Sequence, residues 1–174
     1  MNKQQLLARR DYFKLVHAVT LRAIAAFSDS ELDFRPRLGM RTPRELIFHI
    51  YTQEKMLAEA AQKRRFTLEM ATASNPEEQP AALRGLRSVD DVLSYANACH
   101  EAAEAIFRAM SEEDVASEVE SPFGGYGAWQ YFQFAYDEHW HHRGQLHTYL
   151  RLLGKEPPPL YDYEPAARRE PSKA

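Results

Sequence analysis

The chain has a single cysteine, Cys99, among its 174 residues. No intrachain disulfide is possible, which suits a reducing compartment. Glycine is scarce as well: seven occur, three of them within SPFGGYG (121–127), so little of the sequence is available for tight turns. No stretch approaches the roughly 18 consecutive apolar residues that a membrane span needs. The start, MNKQQLLARRDYFKLVHAV, has no uninterrupted apolar run and no small-residue cleavage site. A cytoplasmic protein without a membrane role is the expectation. Neither sign of charge dominates. The net charge is −3 and basic residues cluster only in QKRRF (62–66), which argues against nucleic acid as a partner. Period-two alternation is also missing, and so are Asn-Gly and Asp-Gly hairpins.

What the sequence does have is helical. Hydrophobic residues at 44% and charged residues at 27% are ordinary for a globular protein, and the length fits one domain. Apolar residues recur at three-to-four spacing in four blocks. The first runs from about Lys3 to Phe27, with Leu6, Tyr12, Phe13, Val16, Leu21 and Ile24 as its stripe. The second opens on TPRE (42–45), with Thr42 as N-cap, Pro43 at the first helical position and Glu45 as capping-box partner. Leu46, Ile50, Gln53 and Leu57 then trace its inward face, which His49 shares, and it ends near Lys63. Residues 66–87 carry prolines and a glycine and read as a long connection. Ser88 caps the third block, which continues through Val92, Tyr95, Cys99, Ala103, Ile106 and Met110. The fourth follows SPFGGYG and stops at Gly154, beyond which KEPPPL forbids continuation. The expected fold is all-α: a four-helix bundle with a long crossover between helices 2 and 3. Residues 1–164 form this domain, and 165–174 form a polar tail that frays.

DEHWHHRGQLHTYLRLLG (137–154) concentrates polar residues on the fourth helix. At about 100° per residue, His142 falls in the middle of the stripe formed by Ala135, Leu146, Tyr149 and Leu153. Glu138 is displaced from it by about 40° and His139 by about 60° to the other side. Trp140 and His147 point away. An inward carboxylate costs several kcal/mol unless a cation or several donors compensate it. Two readings follow. A divalent metal can take Glu138 and His142, spaced like the two histidines of His-Glu-x-x-His, with His49 of the second helix as third ligand. Alternatively, Glu138 and His142 bond each other beneath the surface, and His49 is a satisfied core histidine. His17 and His100 lack a supporting pair. A di-iron bundle needs a second Glu-x-x-His beside 138–141, and none occurs in the four helices.

HHRGQLHTYLRLLGKEPPPLYDY (141–163) resembles the carboxy-terminal signature of the DinB/YfiT-like metalloenzyme family. ELDFRPRLGMRTPRELIFHI (31–50) is similar to the family's approach to its second helix. The resemblance covers roughly residues 5–163 and implies a four-helix bundle. It also implies a divalent metal, zinc or nickel, held by one histidine from the second helix and two from the fourth. His49 and His142 match two of those positions. Glu138 stands where the family has the remaining histidine, so the third ligand is either Glu138, giving a metal set of His49, Glu138 and His142, or the neighbouring His139. Arg143 and Gly144 belong to the signature in structural roles, Arg143 pairing with a carboxylate such as Asp137 or one on another helix.

The resemblance further implies a small-molecule substrate and a homodimer. The corresponding activity is that of a thiol-dependent S-transferase or a hydrolase, in which the metal activates a low-molecular-weight thiol or water. The altered triad position supports a different function: a non-catalytic, stress-associated dimer with a vestigial pocket.

Overall fold

A computed structural model describes residues 1–161; the proposed domain limit at 164 and the tail 165–174 lie outside them. Four long helices carry the fold: α1 (Lys3–Ala25), α2 (Pro43–Lys63), α5 (Val89–Ala109) and α7 (Ala128–Leu152). Three short helices join them: α3 (Leu68–Ala73), α4 (Pro80–Leu83) and α6 (Glu112–Ala116). α2 packs against α5 and α7, and α1 packs against the same two, so α1 and α2 occupy one diagonal of the bundle.

The ends are set by the expected local chemistry. Thr42 accepts a hydrogen bond from the Glu45 N–H at 3.2 Å, while the Glu45 carboxylate accepts from the Thr42 N–H at 2.8 Å. That reciprocal bond satisfies two donors at the start of α2, with Pro43 at a position that needs none. Ser88 and Asp91 repeat the box on α5. Gly154, at φ +76°, closes α7 in a conformation that side chains disfavour.

The connection between α2 and α5 is folded rather than loose. α3, a short 3₁₀ turn (Pro76–Glu78) and α4 lie along α2. The minimal strands β1 (Glu118–Val119) and β2 (Tyr126–Gly127) pair antiparallel just before α7. Phe66 N–H donates to the Glu120 carbonyl at 2.7 Å and Glu120 N–H to the Arg64 carbonyl at 3.0 Å. These bonds tie the hairpin to the start of the crossover.

The apolar core is split in two. One half contains Leu6, Phe13, Leu57, Phe107 and Phe132, and the other Ile24, Leu46, Ile50, Leu146 and Leu150. Full burial of each such side chain contributes about 1.5–3 kcal/mol. Between the halves lies a polar layer to which every long helix contributes: His17 from α1, Glu54 from α2, His100 from α5 and His139 from α7. Along α1 the inward face differs from the expected stripe. Arg10 is fully buried, whereas Tyr12 is 38% exposed. The Arg10 guanidinium lies 5.1–5.3 Å from the ring centres of Phe13, Phe107 and Phe132, so aromatic faces and a carboxylate partner replace its water.

Candidate metal centre

His49, Glu138 and His142 come together between α2 and α7. One ligand atom from each lies within 4.8 Å of the others. His142 Nε2 is 3.0 Å from Glu138 Oε2, and His49 Nε2 is 3.6 Å from the same oxygen. The two imidazoles meet edge to face, 4.8 Å between centroids. The i, i+4 spacing on α7 stacks Glu138 over His142 one turn apart. His49 faces them because α2 and α7 pack side by side.

The hydrogen bonds behind the triad decide where its protons sit. His49 Nδ1 is 2.9 Å from the Ser74 carbonyl, which can only accept, so Nδ1 carries the proton. The folded crossover supplies that carbonyl. His142 Nδ1 lies 3.0 Å from Gln145 Oε1, and the amide of Gln145 turns its Nε2 toward His141. Both rings turn Nε2 toward Glu138 Oε2: a proton on His142 Nε2 bonds that oxygen when no metal is bound, and with a metal both Nε2 atoms can offer lone pairs. Hydrogen bonds to His142 and then His49 hold the Glu138 carboxyl far below its usual range, against the opposing effect of burial, so it is ionised at neutral pH. Two imidazole nitrogens and a carboxylate oxygen converge on one point. Such a donor set needs a cation, either a proton on an imidazole or a metal ion. The residues fit a divalent ion, with each ring oriented by a hydrogen bond from its other nitrogen.

His139, the alternative ligand, faces the other way. It is fully buried, and its Nε2 donates to Glu54 Oε2 at 3.0 Å. His100 Nδ1 donates to Glu54 Oε1 at 2.9 Å, and the Arg10 guanidinium stands 3.6 Å from that oxygen. Burial pushes the Glu54 carboxyl up, but the bonds from His100 and His139 prevail and it stays well below the ordinary range. Burial lowers His139 more than Glu54 raises it. The pair is thus a neutral imidazole donating to a carboxylate. His17 completes the layer: its Nε2 faces Asn97 Oδ1 at 3.3 Å, its Nδ1 accepts from the Tyr51 hydroxyl at 3.0 Å, and its ring stacks on His100 at 3.8 Å.

Two further residues of α7 are buried. Arg143 is buried; it donates to the Val16 carbonyl at 3.2 Å and lies 4.0 Å from the Trp140 ring centre. His147, expected to point away, is buried, and desolvation followed by the charges of Arg143 and Arg151 pushes it down to about 4. Glu54 escaped the sequence reading altogether. The available signal was its position one turn after Ile50, about 40° round the wheel.

No helix among the described residues is long and apolar enough to cross a membrane. The sequence profile of the DinB superfamily matches residues 12–146. No curated protein matches the chain. A crystal structure of a DinB-like protein from Bacillus subtilis superposes with a TM-score of 0.69 at 20% identity, covering 87% of this chain and 95% of that one. The mycothiol-dependent maleylpyruvate isomerase superposes with a TM-score of 0.67 at 18% identity. That match covers 84% of this chain but only 63% of the isomerase. At these identities both likenesses are likenesses of fold.

Proposed function

This chain belongs to the DinB superfamily, and from that premise we propose that it is a metal-dependent enzyme using a low-molecular-weight thiol on a small-molecule substrate. The observation that carries the reading is the convergence of His49 Nε2, His142 Nε2 and an ionised Glu138 oxygen between α2 and α7, with one ligand atom from each residue within 4.8 Å of the others. A divalent ion there, zinc or nickel, would supply Lewis acidity that lowers the pKa of a thiol or water. The protein's own contribution is orientation. Ser74 holds His49 with its proton on Nδ1, Gln145 orients the His142 ring, and Glu138 adds a negative charge.

The thiol comes from outside the chain. Cys99 is 5% exposed, and burial pushes its thiol up, so it is a poor nucleophile. The fold shared with a mycothiol-dependent isomerase supports a thiol as co-substrate. A reducing cytoplasm would keep such a thiol available, and the homodimer implied by the family resemblance belongs to the same reading.

The test begins with elemental analysis of protein purified without a metal-affinity tag, followed by Zn²⁺ and Ni²⁺ titrations of the metal-free protein. Wild type should take up one equivalent. Glu138→Gln should weaken binding by about 100-fold or more, because losing even a supporting partner costs about 10–100-fold. Affinity should also fall as the solution is acidified, because protons compete with the metal for its ligands. Equal affinity in wild type and Glu138→Gln would remove the centre. Turnover by loaded protein that ignores added thiol would favour hydrolysis over thiol transfer.

A further inference from the structure

A cavity of about 400 Å³ opens beside the centre, with Glu138 in its wall. Its floor comes from α2 (Met56, Leu57) and α7 (Tyr131, Phe134), and its remaining walls from the start of the crossover and the glycine-rich loop before α7. Four ring pairs line it. Phe66 lies 6.0 Å from Phe123 and 5.9 Å from Tyr131, and Phe134 lies 5.3 Å from Tyr126 and 5.7 Å from Tyr131. Phe123 is 59% exposed at the rim. An aromatic ring held in water beside an open apolar cavity gains by burial against a ligand. Gly124, at φ +117°, lets the loop turn so that Phe123 and Tyr126 both reach the cavity.

The charges in this cavity are all of one sign. Asp137 and Glu138 line it, and no lysine or arginine does. Asp137 accepts from Gln133 Nε2 at 2.8 Å. An anionic ligand would meet repulsion with no counter-charge, while a flat uncharged ring would meet aromatic faces. We propose that this cavity seats an uncharged aromatic group of the substrate, with Phe123 closing over it and Glu138 marking the end where the chemistry occurs. The inference rests on the metal-centre reading for that last clause and on the cavity alone for the rest.

The test uses the metal-free protein and two fluorescent probes that differ by one sulfonate. N-phenyl-1-naphthylamine is neutral; 8-anilinonaphthalene-1-sulfonate carries the same rings and a negative charge. The neutral probe should bind at least about tenfold more tightly. Phe123→Ala, at an exposed position that the fold does not need, should weaken the neutral probe by about tenfold and leave Zn²⁺ affinity unchanged. Leu152→Ala, which removes an exposed apolar side chain at the far end of α7, should change neither. Equal binding of the two probes would overturn the proposal, as would wild-type probe affinity in Phe123→Ala or an equal loss in Leu152→Ala. The two readings fail separately. Absent Zn²⁺ uptake with intact, Phe123-dependent probe binding removes the centre and keeps the aromatic pocket; Zn²⁺ uptake with no such binding does the reverse.

Discussion

Replacing Glu54 with glutamine tests the polar layer most directly. The carboxylate is fully buried and accepts from His100 Nδ1 at 2.9 Å and His139 Nε2 at 3.0 Å, with Arg10 at 3.6 Å from Oε1. The amide has almost the same shape but offers one acceptor instead of two. Its NH₂ group must therefore face one imidazole N–H, donor against donor. Arg10 also loses one of its two carboxylates and keeps only Glu104. Breaking one partner of a buried ion pair costs about 3–5 kcal/mol, part of which is the unpaired group left behind. For a domain of this size each kcal/mol moves the melting temperature by about 2–4 °C, so Glu54→Gln should melt roughly 10 °C below wild type. The measurement is thermal unfolding of metal-free protein by circular dichroism or calorimetry. At 20 °C the folded variant should bind Zn²⁺ within about threefold of wild type, since Glu54 bonds His139 rather than the triad. A melting temperature within about 2 °C of wild type would refute the claim that this charge holds the layer together.

Two further outcomes follow from the buried histidines. Burial depresses His17 to about 3, His147 to about 4, and His139 below its ordinary value. In the native state these rings stay neutral below pH 6.5, where the unfolded chain takes up protons, so stability must fall as pH falls. His17 and His147 give a slope of up to about 3 kcal/mol per pH unit between roughly pH 6 and 4, and His139 acts in the same direction. Urea unfolding at pH 7, 6 and 5 in the presence of a chelator measures it, and a flat profile would contradict the burial. His139→Gln should lower stability by about 1–3 kcal/mol by disturbing the bond to Glu54 while leaving Zn²⁺ affinity within about threefold; a large loss of affinity in calorimetric titration would return His139 to the ligand set.

Much of the architecture was legible one helix at a time. Thr42, Pro43 and Glu45 mark the start of α2, Ser88 and Asp91 that of α5, and Gly154 the end of α7, because capping depends on residues three or four apart. The Glu138–His142 pair was legible for the same reason: i, i+4 neighbours stack on any helix. The folded crossover was not, since its short helices are held by contacts with α2. Ser74, whose carbonyl sets the tautomer of His49, sits 25 positions away with no local signal for that role.

By itself, then, the sequence determined four amphipathic helices, their caps, and the inward placement of His49, Glu138 and His142, because each depends on short-range periodicity. Only the tertiary structure decided which inward residues meet. A helical wheel set His139 beside the triad, but Glu54 on the facing helix holds it in the central layer. The wheel turned His147 outward, yet Pro157 and Pro158, beyond the end of α7, share a cavity wall with it. Rotation about a helix axis fixes the side from which a residue emerges. The identity of its partner, and hence whether a buried charge bonds an imidazole or awaits a metal, depends on how the other helices pack against it.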